Sequence, residues 1–486
     1  MIPEAHAMLL SLLACHSGNE HHRHHHPTEP PDSGTTRGET GDSGGTEPTT
    51  PPEVGALTMS LSPDVSLVIL TAFEALPEAT DAWVEYRWEG DDWLVAPTTG
   101  TGTASILGIP QQTPVEARAV QVVDGVAGYG PSSTLSTGGL PPSLLEPHVV
   151  AYDPKLASPE GYAMVSVASG SFTYSGPWIL ELFDRDGRVV WYHVVRDNLF
   201  SLYPSVARDG THVWYEGENI FGLSGGTPGV TRQTLDGRWS LSFPIPSLGQ
   251  AISEGPDGSF FYELRSSNHG VSQLDANGDS TVIWNCSATF ASLGLSDGEC
   301  LMNTCNWDES RNTVLASQFE TSTVWEIDVA TGQVLKQMGQ LTVGDPWEFD
   351  PPSSLFAYQH DPYWTADGTL FVSTHFPCGD TPGCSENSGQ DGKQRASEYA
   401  VDEENHKLTL LSSYISTDRW ATQAGEAFRL PNGNIVQGYG QDGAIREVTP
   451  DGATAWEVAW DKDGSGYRAI GHTSLIADLY ALNVGW

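Results

Sequence analysis

Apolar and polar residues alternate in short runs over the first readable stretch of the chain. Leu57-Thr58-Met59-Ser60-Leu61, Val68-Ile69-Leu70-Thr71-Ala72, Trp83-Val84-Glu85-Tyr86 and Val115-Glu116-Ala117-Arg118-Ala119-Val120 repeat with period two between Pro and Gly turns. Period two is the signature of a half-buried strand, so these runs predict a small β-sandwich over residues 53–142. From Val149 onward the strands continue with an irregular period of roughly 40–60 residues, the length of a propeller blade. Several units pass through a turn into an aromatic strand: Asp184-Arg185-Asp186-Gly187 leads to Trp191, Asp275-Ala276-Asn277-Gly278 to Trp284, and Thr449-Pro450-Asp451-Gly452 to Trp456. Asp-Gly and Asn-Gly supply the positive φ of a tight hairpin, and the Trp fills the space between neighbouring sheets. The expected fold class is all-β: a six-bladed β-propeller over 146–486, preceded by the sandwich and a disordered tether. In a propeller the binding residues come one or two per blade, because the innermost strands converge on a central channel.

Composition supports this class and narrows the partners. With 52 Gly and 32 Pro the chain is rich in turns, and 22 Lys+Arg against 62 Asp+Glu leave a formal charge of -40. Such a field repels phosphate backbones and anionic headgroups, so nucleic acid is excluded as a partner, and an anionic substrate needs a locally basic pocket. Ala7-Met8-Leu9-Leu10-Ser11-Leu12-Leu13-Ala14 is a short apolar run ending at Cys15, and Leu12-Leu13-Ala14-Cys15 looks like a lipobox. Residues 1–15 are therefore expected to be a lipoprotein signal segment with Cys15 acylated, giving a secreted bacterial lipoprotein of the periplasm or outer-membrane surface that meets the membrane only through its lipid. Residues 16–52, dominated by His, Pro, Gly, Ser and Thr, bury too little apolar surface to fold and read as a tether. The tract His21-His22-Arg23-His24-His25-His26 lacks fixed geometry, and no metal or cofactor site is assigned. Of the remaining cysteines, Cys378 and Cys384 flank a short Gly/Pro loop and are the first expected disulfide; Cys286 with Cys300 or Cys305 is the second.

The last blades carry a resemblance. Glu426-Ala427-Phe428-Arg429-Leu430-Pro431-Asn432-Gly433-Asn434, followed by Arg446-Glu447-Val448-Thr449-Pro450-Asp451-Gly452 and Trp456, is similar to the repeated unit of the arylsulfotransferase family, and Tyr467-Arg468-Ala469 resembles its closing strand. The 53–142 region resembles a fibronectin type III module of the kind found ahead of such propellers. The resemblance implies transfer of a sulfuryl group from an aryl sulfate to a phenol through a histidine in a Gln-His motif, with no cofactor. Tyr358-Gln359-His360-Asp361 matches that motif, which makes His360 the candidate nucleophile and Asp361 the candidate partner of its second nitrogen. The same alignment sets Asn303 on a family Asn. It puts Leu301 where a His belongs, Phe319 where an Arg belongs, and Gln250 where a further His belongs. Three groups that would hold the sulfuryl oxygens are thus replaced, and each such donor is typically worth on the order of 10²–10³ in rate. Arg395, His375, Arg419 and Arg429 are the candidates to substitute for them, Arg429 as a substrate-binding residue. Two other functions compete: a catalytically inactive, surface-tethered propeller that binds a ligand or protein, and a quinone-dependent dehydrogenase, for which no adjacent-cysteine pair is present.

Overall fold

The computed structural model describes residues 50–90, 92–98, 102–170, 176–219, 225–267, 269–296, 300–375, 394–416, 418–419, 421, 424–462 and 468–483. The signal segment with Cys15, almost all of the tether, and the loop with Cys378 and Cys384 lie outside the described residues.

Two sheets form the first unit. Thr58–Leu61, Ile69–Ala72 and Thr103–Ile106 make one; Leu94–Pro97, Asp81–Trp88, Pro114–Val123, Val126–Tyr129 and Ser133–Ser136 make the other. Alternate residues of the long strand Pro114–Val123 point inward, so Val115, Ala117 and Ala119 are fully buried with Val84, Ile69 and Ile106. The sequence alternation is the cause: every second residue is apolar, and only one register buries them all.

Six sheets of four or five strands follow among the described residues and form a β-propeller; all pairs are antiparallel except Glu348–Asp350, which lies parallel to Lys407–Ile415 at the edge of the fifth. Each of the middle four is built from consecutive strands. Their inner strands are Ser205–Val206, Leu248–Glu254, Met302–Asp308 and His360–Trp364. The first and last sheets close the ring. The C-terminal strand Ile470–Ile476 enters the first sheet beside Tyr162–Ala168, while His148–Tyr152, from the start of the propeller, adds to the outer edge of the last sheet, Gly425–Arg429 to Thr454–Ala459. The two ends of the propeller segment are thereby paired into the first and last sheets, which holds the ring closed.

The repeated turns act as the sequence predicts. Gly187, Gly278, Gly368 and Gly452 all take positive φ. The acids of these turns serve the backbone: Asp184 Oδ1 accepts from the N–H of Asp186 and Arg188 at 3.0 and 2.9 Å, and Asp275 Oδ1 from Asn277 and Asp279 at 2.8 and 2.9 Å. Trp191, Trp284 and Trp456 are buried, with Trp284 tilted against Trp325 of the next blade.

The sandwich is fastened to the first two blades. Asp236 Oδ2 accepts from Ser105 Oγ at 2.8 Å and from Asn483 Nδ2 at 3.1 Å, so one carboxylate joins the sandwich, the second blade and the C-terminal segment. Val65, Leu67 and Val68 of the sandwich run into the propeller's own apolar core.

A disulfide links Cys286 to Cys300, with Cα atoms 5.9 Å apart, and Cys305 is a buried free thiol. This is the second of the two pairings expected from sequence. It ties the first residue of the helix Cys286–Leu293, capped by Asn285 Oδ1 on the Ala288 N–H at 2.9 Å, to the entry of the Met302–Asp308 strand.

Candidate functional site

His360 opens the inner strand of the fifth blade and is fully buried. Tyr358 and Asp361 on either side of it have φ of 49° and 52°, and the register against Leu370–His375 shifts between His360 and Tyr363. This left-handed pair of non-glycine residues makes a bulge, which re-aims the side chains of the strand at its start. The peptide just before the imidazole is pinned. Gln359 O accepts from Asn303 Nδ2 at 2.8 Å, while Gln359 Nε2 donates to Ser317 Oγ at 2.9 Å and Gln318 O at 3.0 Å. Asn303 and His360, singled out separately in the sequence, are brought together through this backbone group.

Phe319 also lies beside His360, its ring edge-on with centroids 6.1 Å apart, and it packs in turn on Tyr358 at 5.0 Å. An aromatic edge offers weakly positive C–H groups and no charge, so it is a poor substitute for the guanidinium the resemblance expects.

Asp361 belongs to a second grouping. Ligand-capable atoms of Asp361, Glu426 and His472 lie within 4.8 Å of one another, and all three residues are buried. They come from the inner strands of the fifth, sixth and first blades. His472 Nδ1 sits 2.8 Å from Glu426 Oε2, and Glu426 Oε1 accepts the Thr473 N–H at 2.6 Å. Tyr203 of the second blade tilts its ring on His472 at 5.5 Å. Asp361 stands out in the sequence and its two companions do not, because each blade contributes one ordinary polar residue. One signal was present: Asp361 and Glu426 occupy the same position relative to the turn glycines Gly368 and Gly433.

Gln250 is buried on the third blade's inner strand. Its N–H donates to Glu263 Oε2 at 2.6 Å, and Glu263 Oε1 accepts from Met302 N at 3.1 Å and Arg265 Nε at 3.2 Å. Next to it, in the second blade, burial pushes the Glu216 carboxyl up to about 8, and burial followed by repulsion from Glu216 pushes Glu218 well above the carboxylate range.

Arg429 is not brought to His360. Its guanidinium pairs with Glu398, its N–H donates to Tyr363 Oη at 3.0 Å, and it lines a cavity of about 930 Å³ with Trp307, Arg311 and Trp364. Tyr363 and Trp364, at the far end of the strand that His360 begins, line this cavity, and His360 does not. Arg419 is likewise committed, to Glu457 and Asp442. A second cavity of about 470 Å³ lies at the sandwich joint, lined by Asp64, His193, Tyr215 and Arg196, and His360 lines neither. There burial drops the His193 imidazole to about 4, so it is neutral.

The fold defines the class: this is a β-propeller protein, distantly similar in structure to other β-propellers. No family model matches the chain, and no curated protein matches it. Among solved structures it is similar to a protein of unknown function from Bacteroides thetaiotaomicron (14 % identity, TM-score 0.34, 85 % of this chain and 99 % of that one). It is also similar to the Pseudomonas aeruginosa periplasmic gluconolactonase (14 %, 0.39, 65 % and 99 %) and to virginiamycin B lyase from Staphylococcus aureus (9 %, 0.37, 68 % and 100 %). Likenesses this distant carry no activity across.

Proposed function

We propose that the chain is a six-bladed propeller of arylsulfotransferase type, held at the cell envelope by a lipid on Cys15, in which His360 passes a sulfuryl group from an aryl sulfate to a phenol. In the first half-reaction the imidazole lone pair bonds to sulfur, the sulfur–oxygen bond to the aryl group breaks, and the phenolate leaves and takes up a proton. In the second, the acceptor phenol attacks that sulfur, loses its proton, and frees the imidazole. The observation that carries this reading is spatial. Asn303 Nδ2 donates at 2.8 Å to the carbonyl of Gln359, the residue before His360, and the Phe319 ring packs edge-on beside His360 at 6.1 Å, which supports the alignment that sets these positions near the histidine. With Phe in the place of a cation, charge developing on the sulfuryl oxygens is poorly met, and turnover is slow.

One observation favours a second reading, a binding propeller without turnover: His360 has no exposed surface and an aromatic ring packed on it. The assay that separates them incubates the full chain with a chromogenic aryl sulfate and a phenol, beside His360→Ala. Transfer by the parent that vanishes in the variant supports the first reading. Equal rates in the two end it and leave the binding module.

A further inference from the structure

We infer that Asp361, Glu426 and His472 hold a divalent metal ion at the inner strands of the fifth, sixth and first blades. Two carboxylates and an imidazole converge from three separate blades with their ligand atoms within 4.8 Å of one another. The closest pair, His472 Nδ1 and Glu426 Oε2, is 2.8 Å apart. Metal–nitrogen and metal–oxygen bonds of about 2.0–2.2 Å place neighbouring ligand atoms about 3 Å from each other, so this edge already has the length of a coordination polyhedron. The carboxylates are oriented from behind. The Thr473 N–H holds Glu426 Oε1 at 2.6 Å, which turns Oε2 toward the imidazole, and Asn306 Nδ2 reaches Asp361 Oδ1 at 3.4 Å. Such outer contacts fix a ligand's direction before the ion arrives.

Burial supplies the driving force. Asp361 and Glu426 are each 2 % exposed and His472 1 %. Acids this dry need a compensating positive charge, and a metal ion bound by both carboxylates and the imidazole would supply it. The formal charge of -40 further raises the local concentration of cations. The mixed nitrogen and oxygen set suits Mn²⁺ or Zn²⁺ better than Ca²⁺, which takes six to eight oxygens. The inference goes beyond the transfer reading, and it is tested by binding alone.

The test uses the full chain carrying His21→Ser, His22→Ser, His24→Ser, His25→Ser and His26→Ser, so that the histidine tract does not compete. After EDTA treatment it is titrated with Mn²⁺ and the free ion is read by electron paramagnetic resonance. One Mn²⁺ per chain is expected, with a rise in the thermal midpoint at saturation. Glu426→Gln and Asp361→Asn, each checked for native circular dichroism, should weaken binding at least about tenfold; if one fails to fold, the other carries the same readout. His360→Ala should keep the ion while losing any transfer. Mn²⁺ uptake at parental affinity in the folded variants, or no uptake by the parent, overturns the site.

Discussion

Glu447 and Glu426 lie in the same blade, one strand apart, and both are buried, yet their surroundings differ in kind. Glu447 accepts from Arg185 Nη1 at 3.1 Å, Ser158 N at 2.7 Å and Asn434 Nδ2 at 2.6 Å, and the guanidinium comes from the first blade. That arrangement is a staple: a charge from one sheet neutralises a charge from the next, and Arg185 also stacks on Trp456 at 4.5 Å. Glu426 faces an imidazole and a second carboxylate. Between these extremes stands Glu216, which takes backbone N–H donors from Leu202 and Tyr203 and keeps its proton. These three buried acids are met in three ways: Glu447 by a guanidinium, Glu216 by backbone N–H groups, and Glu426 by the Thr473 N–H and the His472 imidazole, beside a second carboxylate. The lesson is that burial alone does not mark a site; the identity of the counter-charge does.

The sharpest way to break the comparison is to remove the guanidinium. Arg185→Ala leaves Glu447 as a buried charge without its cation, and such losses cost about 3–5 kcal/mol. Urea unfolding followed by tryptophan fluorescence should show an unfolding free energy lowered by that amount, read as a lower midpoint at unchanged slope. A shift below about 1 kcal/mol would mean that the Ser158 and Asn434 donors suffice, and the contrast with Glu426 would fail.

A smaller effect is expected at Glu216, and it depends on pH. Its folded-state value of about 8 lies above the ordinary carboxylate value of 4.5. The raised value means that the folded protein binds the proton more tightly than the unfolded chain. Its contribution is complete below about pH 4.5 and is lost as pH rises through about 8. Glu216→Gln, which keeps the shape of the protonated acid, should flatten the decline of the thermal midpoint between pH 5 and 9. A parallel decline in parent and variant would show that Glu216 ionises without penalty.

Much of this architecture was legible in the sequence, and the illegible part has one physical cause. Alternation in Val115 to Val122 and the glycines at 187, 278, 368 and 452 are local signals, so the sandwich and the blade turns could be read directly. Pairing between distant segments leaves no local trace. Nothing in His148–Tyr152 marks it as the outer strand of the last blade, and nothing near Cys286 decides between Cys300 and Cys305 as its partner. The site divides in the same way. Gln359-His360 was found because its residues are contiguous, and Asn303 because the resemblance aligned it. Glu426 and His472 were missed because only the closing of the ring by Ile470–Ile476 carries His472 to Glu426. What Arg429 touches was equally illegible: only the sheet shows its N–H on Tyr363 Oη and its guanidinium on Glu398.

The finest division of the comparison is between charge and mere hydrogen bonding at Glu447. Asn434 Nδ2 donates to Glu447 Oε1 at 2.6 Å and to Leu156 O at 2.8 Å, so it binds the carboxylate without neutralising it. Asn434→Ala removes a neutral donor to an anion and leaves Arg185 in place, and such bonds are worth about 1.5–3 kcal/mol. The loss should fall at the lower end, because the carboxylate still accepts from Arg185 and from both donor groups of Ser158. The same unfolding assay in Arg185→Ala and in the double variant then gives the coupling between the two donors. If the guanidinium carries the charge and the amide only the geometry, the two losses add within about 0.5 kcal/mol. A large positive coupling would mean that the amide shares the work of holding the charge, and that neutral donors such as the Thr473 N–H could stabilise Glu426 as well without any ion.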